Sequence, residues 1–406
     1  MYGGLAVVRC LGRRGIEVSA AGGSKWQPPA LSRYLRRRLP GPAARGLEGA
    51  LGWVEGLGMD GAVLIPSGDT MSWLVAERRE QLMRRFRVSP PPGDAMYAVL
   101  NKQRLYGLAA EAGLRQPDSW FPESLDDVRA GEFPEAVLIK PRTHIGNLHW
   151  RKAWLCTERR RLTATYHEAL AARRFDPVVE AYDPDVGKPF VQRYFAASRQ
   201  TVYNLTGYIA KDPELAVFRA TRKVLQIPRR IGIGLCFEAA PVDAGVRERV
   251  LTMCRAAGFH GMFEAEFVPD GNDYLLIDFN ARYYNSIGFD EARGFPLPWF
   301  AYLEAVGDES ALADAILEAE RTPLEAEPAN AWSHGVLWRT MIAGQLASGG
   351  MSWSAARRWR RWRADRDVVD AVWAPDDRRP GIVEPLVEAW GALRDPRRFA
   401  GRFLRH

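Results

Sequence analysis

Residues 261–286 read GMFEAEFVPDGNDYLLIDFNARYYNS, and this stretch decides how the rest of the chain is read. Pro269, Asp270, Gly271, Asn272 and Asp273 supply turn chemistry between two apolar-rich runs, which predicts two β-strands joined by a tight turn. Alternation then sorts the side chains. Glu264 and Glu266 share one face of the first strand, and Asp278 and Asn280 share one face of the second. Pairing around the turn brings Glu266 close to facing Asp278. Two carboxylates opposed across a sheet repel, and burying either one without a partner is costly. A bound cation removes that conflict. Two carboxylates and an amide oxygen suit Mg²⁺, which takes hard oxygen ligands and shares them with nucleotide phosphates. Arg282 follows two residues after Asn280, on the same face if the strand continues, where its guanidinium can take phosphate oxygens bidentately. Most acid pairs in strands simply face water. Four polar ligand types in register, inside runs as apolar as YLLI, favour a metal–nucleotide site here.

Composition bounds the remainder. The 406 residues predict two to three domains, and 47% hydrophobic residues suffice for full cores. No run approaches the roughly 18 apolar residues of a membrane span. The N-terminal LAVV is too short for the core of a signal peptide, so a cytoplasmic location is expected. Cys10, Cys156, Cys236 and Cys254 show no CxxC spacing and are expected as reduced core residues. The six histidines form no cluster, which argues against a transition-metal site. Net charge is +7, yet only seven of the 56 basic residues are lysines. Where arginine serves for most positive charges, a retained lysine more often needs its compact ammonium. Lys102, Lys140 and Lys223 stand out because each also has an informative setting.

Along the chain, residues 1–21 read as a glycine turn (Gly3, Gly4), a helix over 5–14 and a short strand over 16–20. The strand expected before that turn in a nucleotide-binding βαβ unit is missing. Residues 61–66 (GAVLIP) predict a buried strand of parallel-sheet type, followed by Ser67, Gly68 and Asp69 as caps for a helix over 70–85. A βα domain over 1–92 thus ends at Pro90, Pro91 and Pro92. Residues 95–112 predict a helix carrying Asn101 and Lys102, ended by Gly113. Residues 136–140 (AVLIK) form a short strand that Pro141 terminates, holding Lys140 in extended geometry. Strands follow over 190–195 and 200–209, then a basic segment over 220–233 (ATRKVLQIPRRIGI) and a helix over 246–257. Residues 325–406 show helical spacing, with many tryptophans and arginines.

Lys140 at a strand end can pair with phosphate oxygens, because the strand fixes the direction of its stem. Arg222 and Lys223, followed by Pro228, Gly232 and Gly234, bring two cations and a permissive backbone to a triphosphate. No GxxxxGK[ST] loop, no GxSxG elbow and no full dinucleotide fingerprint occurs. A phosphate-and-magnesium protein without such a loop must cradle its nucleotide between sheets.

Taken in order, these pieces over roughly residues 1–300 resemble the ATP-grasp superfamily of carboxylate–amine ligases, and within it the carbamoyl-phosphate-synthase-like and D-aspartate-ligase-like branch. IDFNAR (residues 277–282) is similar to the family's E-x-N-x-R strand, and GMFEAEF supplies the earlier acid. The resemblance implies that Glu266, Asp278 and Asn280 bind Mg²⁺ or Mn²⁺ and that Arg282 contacts the transferred phosphoryl group. It further implies nucleotide contacts from Lys102, Lys140, Gln192, Arg193, Tyr194, Phe195 and Lys223, with Lys223 and Arg282 catalytic. The implied fold is α/β and α+β: a Rossmann-like pre-grasp domain over 1–92, with its first strand missing, and an ATP-grasp domain over 93–310. That domain divides into subdomains over 93–187 and 188–310, and an Arg/Trp-rich helical region follows over 311–406. The implied activity joins a carboxylate to an amine through an acyl phosphate, with ATP and Mg²⁺.

Three departures from the family pattern stand out. Asp replaces the usual Glu at 278, Arg193 replaces an acid in the hinge, and the phosphate lid over 143–153 (THIGNLHWRKA) has only Gly146. His144, Asn147 or Lys152 would have to serve there, and a catalytically degenerate ATP-binding protein is the alternative. The C-terminal region suggests another class. Between 351 and 406 lie thirteen arginines against eight acids, interleaved with Trp353, Trp359, Trp362, Trp373 and Trp390. Arg357, Arg358, Arg360, Arg361 and Arg363 lie on an expected helix. The first expectation is a helical appendix that packs its tryptophans on the body with its arginines solvated outside; the alternative is a peripheral membrane or nucleic-acid binding protein acting through this region, with weak membrane-surface contact through 351–406 ahead of nucleic acid.

Overall fold

The structure is a computed structural model describing residues 2–148, 153–195, 201–227, 233–324, 327, 329–397 and 401. The chain is mixed α/β and forms two compact units, each assembled from separated stretches. Met1–Gly41, Ala197–Asp243 and Tyr283–His406 make the first; Pro42–Ala196 and Ala244–Arg282 make the second.

In the first unit the strands Val18–Ala21 and Leu35–Leu39 pair in parallel. Five further strands lie in the order Val202–Ile209, Ala216–Ile227, Ile233–Ala240, Ala331–Ser333 and Val368–Asp370. Neighbours run antiparallel except for the last pair, which is parallel. Val202–Ile209 is buried along its whole length, as expected of a strand covered on both faces. Helix Leu297–Val306 packs on it. There the Tyr208 hydroxyl donates to Glu304 at 2.9 Å and the Tyr208 ring meets Phe300 edge-on at 5.6 Å.

The second unit contains a four-stranded antiparallel sheet, ordered Ser119–Trp120, Phe190–Arg193, Val137–Lys140 and Trp154–Cys156. Helix Leu162–Ala172 covers it around a core of Val137, Ile139, Trp154, Leu162 and Tyr166. The hairpin Gly261–Asp270 and Asp273–Asn280 belongs to the same unit. Phe263 stacks on Phe279 across it at 5.1 Å. Gly271 turns at φ 62°, a conformation that favours glycine, and Arg115 ties the turn by bonding Asp270 at 2.7 Å.

Several sequence expectations are corrected. Gly3 and Gly4 form no turn but lie inside helix Tyr2–Arg13. The lack of a side chain at Gly3 permits close approach, since a Cβ there would sit 2.5 Å from the Tyr284 carbonyl oxygen. Residues 61–66 form no continuous strand, only a bridge at Val63 to Arg87. Gly61 is left-handed at φ 79°, and Pro66 has no N–H to offer a ladder. The helix expected over 70–85 breaks at Arg78 into Asp69–Glu77 and Arg79–Leu82. The helix expected over 95–112 breaks at Asn101, whose backbone is extended and whose side chain accepts from the amides of Gln103 and Arg104. The asparagine gains more as a cap than as a mid-helix residue. The basic segment from 220 lies mostly on strand Ala216–Ile227, while Pro228 and Gly232 fall outside the described residues. The C-terminal region is mainly helical but contributes two short strands.

All four cysteines are buried and unpaired. Among the described residues no helix is long and apolar enough to cross a membrane.

A charged cluster lies in the core of the first unit. Arg293, fully buried, pairs with Glu327 and Asp290 and donates to the Ala220 carbonyl at 3.2 Å. Arg219 reaches Glu327 at 2.9 Å. Asp290 accepts from the Tyr284 hydroxyl and, at 3.4 Å, from Thr206. Burial raises the Asp290 carboxyl to about 6, against the pull of Arg293 and the Tyr284 hydrogen bond. The folded state then binds more protons than the unfolded chain between about pH 4 and 6, so this group lowers stability as pH rises through that window. In Asp290→Asn the fall should disappear. Urea unfolding at a series of pH values should show wild type losing up to about 3 kcal/mol relative to the variant across the window, and parallel curves would refute the assignment.

Candidate active site

The hairpin forms as expected from the sequence, with Glu266 facing Asp278. Glu266 pairs with Asp278 and Glu264 with Asn280, with a bulge between Glu266 and Phe267. Glu264 and Asn280 are buried. The Asn280 amide nitrogen donates to Glu264 at 3.2 Å, and its oxygen accepts from Arg282 at 3.0 Å. Arg282 turns its Nε to Asp69 at 2.6 Å. Burial would lower the Arg282 guanidinium, but Asp69 outweighs it and raises it.

The predicted conflict between Glu266 and Asp278 is met by a cation of the protein itself. Lys102, buried at the start of helix Lys102–Glu111, ion-pairs with the Asp278 carboxylate. Burial would raise the Asp278 carboxyl, but Lys102, with Lys140 and His144 farther off, holds it well below the usual carboxylate range. The same pairing, helped by Tyr106, raises the Lys102 ammonium against its own desolvation.

Two other groups join the hairpin to the four-stranded sheet. The Tyr106 hydroxyl, one turn after Lys102, donates to the Ile277 carbonyl at 3.3 Å and accepts from Gln192 at 2.8 Å. The Gln192 side-chain oxygen accepts from Lys140 at 3.2 Å. Lys102, Lys140, Gln192, Glu266, Asp278, Asn280 and Arg282 therefore lie in one unit. Arg193 points away to Asp118 at 3.1 Å and is exposed. Tyr194 continues the chain, its amide bonded to the Ala136 carbonyl at 3.1 Å, and Phe195 lies 5.7 Å from the Arg193 guanidinium. Lys223 belongs to the other unit, buried on strand Ala216–Ile227 opposite Val202 and Phe237.

The start of the lid segment is anchored. Gly146 is left-handed at φ 60°, a Cβ there would sit 2.6 Å from Val179, and its amide donates to Thr70 at 3.1 Å. Lys152 lies outside the described residues. Three partners escaped the sequence reading: Asp69, Tyr106 and Arg142. Arg142 is buried and donates to Gln103 at 2.8 Å and Glu123 at 3.2 Å. Of these, only Asp69 had a legible signal, as an acid in a helix's first turn after Ser67 and Gly68.

Chemically, this is an all-oxygen donor set beside buried cations. Among the described residues no three His, Cys, Asp or Glu side chains cluster to hold a metal by themselves. Two carboxylates and an amide instead suit Mg²⁺, whose remaining positions are filled by water and phosphate oxygens.

No protein-family model and no curated protein matches the sequence. Solved structures do match in fold. The biotin carboxylase domain of Hydrogenobacter thermophilus 2-oxoglutarate carboxylase, solved as a dimer with MgADP, ADP and bicarbonate, superposes with a TM-score of 0.57 at 14% identity, over 75% of this chain and 68% of that one. An L-amino acid ligase from Bacillus licheniformis gives 0.57 at 15% identity, over 74% and 72%. N5-carboxyaminoimidazole synthetase from Staphylococcus aureus gives 0.54 at 13%, over 75% of each chain. The shared fold is the ATP-grasp fold.

The Lys102–Asp278 pair is open to a double-mutant test. Lys102→Met and Asp278→Asn should each cost about 1–2 kcal/mol in urea unfolding, with solvent at the part-exposed carboxylate screening the pair. The double variant should lose about 1 kcal/mol less than the sum. Strict additivity would show that the contact carries no energy.

Proposed function

We propose that this chain, which has the ATP-grasp fold, is an ADP-forming ligase that joins a carboxylate to an amine through an acyl phosphate. The observation that carries the reading is the hairpin register, which sets Glu266 against Asp278 and Glu264 against Asn280, with Lys102 held on the Asp278 carboxylate and Arg282 on the Asn280 amide oxygen. The MgADP in the Hydrogenobacter enzyme and the amino-acid ligation of the Bacillus enzyme support it as properties of proteins with this fold.

In this reading residues 93–310 are the ATP-grasp body and 1–92 the pre-grasp domain, in a cytoplasmic enzyme. Glu266, Asp278 and Asn280 hold Mg²⁺, with Mn²⁺ as a substitute, and the ion supplies positive charge to the phosphates. Lys140 presents its ammonium from a strand end toward phosphate oxygens, and Lys102 does so once Asp278 is shared with the metal. Gln192 to Phe195 frame the base. The family resemblance adds Lys223 as a phosphate contact, and Lys223→Ala tests that assignment separately.

The chemistry then needs no general base in its first half. A carboxylate oxygen of the substrate attacks the γ-phosphorus in line. The bond to the β–γ bridging oxygen breaks, and ADP leaves with that electron pair. Arg282 and Lys140 neutralise the charge spread over the equatorial oxygens. The amine nitrogen next attacks the acyl carbon, the bond to the phosphate oxygen breaks, and inorganic phosphate leaves as the nitrogen gives up its proton.

An ADP-release assay over a panel of carboxylic acids, amino acids and amines should find a pair that stimulates turnover. Asp278→Ala and Asn280→Ala should each reduce Mg-dependent release by about 10²-fold or more, with the circular-dichroism spectrum unchanged. Wild-type rates in both variants would sink the assignment.

A further inference from the structure

Helix Arg379–Arg394 faces the wrong way for a surface helix of a protein that meets only water. Its inner face buries Pro380 and the carboxylate-bearing Glu384. Its outer face carries Ile382, Leu386, Trp390 and Leu393, between 60% and 75% exposed. Spacings of four, four and three residues place them in one stripe. Five of the twelve large apolar side chains exposed among the described residues lie on this helix, Val387 being the fifth, so the stripe is a patch and not scatter.

Charge is sorted around the stripe. Of the two acids just before the helix, Asp377 is buried and accepts from Arg9 at 2.9 Å and Ser32 at 2.7 Å, while the part-exposed Asp376 is neutralised by Arg13 at 2.8 Å. Arg378 and Arg379 remain exposed at one end, and at the other Arg394 and Arg397 outnumber the one exposed acid there, Asp395. The face is therefore aliphatic and aromatic in the middle and basic at both ends.

We propose that this face docks in the plane of an anionic lipid bilayer. The stripe enters the headgroup–acyl boundary, and the arginines at both ends meet lipid phosphates. Charge decides the occupant. A second copy of the chain would bring arginines against arginines at both ends, whether the two helices ran parallel or antiparallel. A nucleic acid would find its cations at the rim and aliphatic side chains where a phosphate backbone needs charge. An anionic bilayer matches both features, and tryptophan is at home at its interface.

The full chain tests this by flotation with vesicles of phosphatidylcholine alone or mixed with phosphatidylglycerol, at low and high salt. Wild type should float with the mixed vesicles and bind the neutral ones about tenfold less or weaker, with the difference shrinking at high salt. The double substitution Leu386→Gln and Leu393→Gln should reduce binding by about tenfold or more. Its melting temperature should not change, because both side chains are exposed. Arg378→Glu with Arg394→Glu should abolish the preference for anionic lipid. Three results would overturn the proposal: no flotation of wild type, flotation unchanged in the leucine variant, or equal binding to neutral vesicles. Loss of flotation together with a sedimentation dimer that the leucine variant dissolves would assign the face to a second copy instead.

Discussion

Opposed carboxylates on a β-hairpin set the terms for the second unit. Glu266 and Asp278 stand across the ladder from each other, and a sheet cannot hold two such charges together without a compensating cation. Lys102 supplies one, and its delivery explains much of the surrounding architecture. Asn101 breaks what reads as one long helix so that a new helix starts with Lys102 in its first turn. The Lys102 amide bonds the Arg142 carbonyl at 2.6 Å, and Tyr106, a turn later, holds both the hairpin and Gln192. The ion pair thus comes with a helix that ties the hairpin to the four-stranded sheet. A lysine at this point without the helix break would have no fixed direction.

Arg282 is arranged on the same logic. It lies just beyond the strand, its Nε held by Asp69 and one terminal nitrogen by Asn280. Asp69 opens helix Asp69–Glu77 after a glycine cap that makes no side-chain bond, so its carboxylate is left to the guanidinium. Lys102 and Arg282 are thus both held on carboxylates of the protein. This removes the cost of burying them unpaired, and it fixes their positions before any ligand arrives.

The hairpin was legible because its determinants are local: a turn with one left-handed glycine, a period-two pattern, and four polar residues in phase. The strands that carry Lys140 and Gln192 were legible because short β-rich runs announce themselves in sequence, whereas Gln192 itself stood out only through the family resemblance. What escaped depended on long-range partners. Asp69 lies 213 positions from Arg282, and Tyr106 carries no local signal of its partners Ile277 and Gln192. The glycine pair at the N-terminus read as a turn because propensity ignores packing; a neighbouring carbonyl close enough to exclude a Cβ makes glycine the residue that fits inside that helix. Asn101 was seen, but its capping role competed with an unbroken apolar pattern, and the cap prevailed. The outward stripe on helix Arg379–Arg394 was invisible for the opposite reason. Periodicity reveals an apolar face, and only the structure shows that it points away from the core.

The charge count in the second unit also constrains how such a site can work. Asp69, Glu264 and Asp278 act on Lys102 or Arg282, Lys140 acts on Asp278, and Glu266 stands opposite Asp278 in the ladder. Four carboxylates against three cations leave the cluster slightly anionic, so a free nucleotide with three or four negative charges would be repelled from it. A divalent ion reverses the sign. Held by Asp278 as proposed, such an ion would also loosen the Lys102 ammonium from its partner, because a carboxylate that ligates a cation has less negative charge left for the lysine. Metal and nucleotide should therefore bind with positive coupling, each raising the affinity for the other by the same factor. A cluster with its acids removed would bind free nucleotide more easily and respond less to magnesium. On the proposed reading, the surplus of acid beside the lysines would make nucleotide binding depend on the metal, as a purely basic pocket would not.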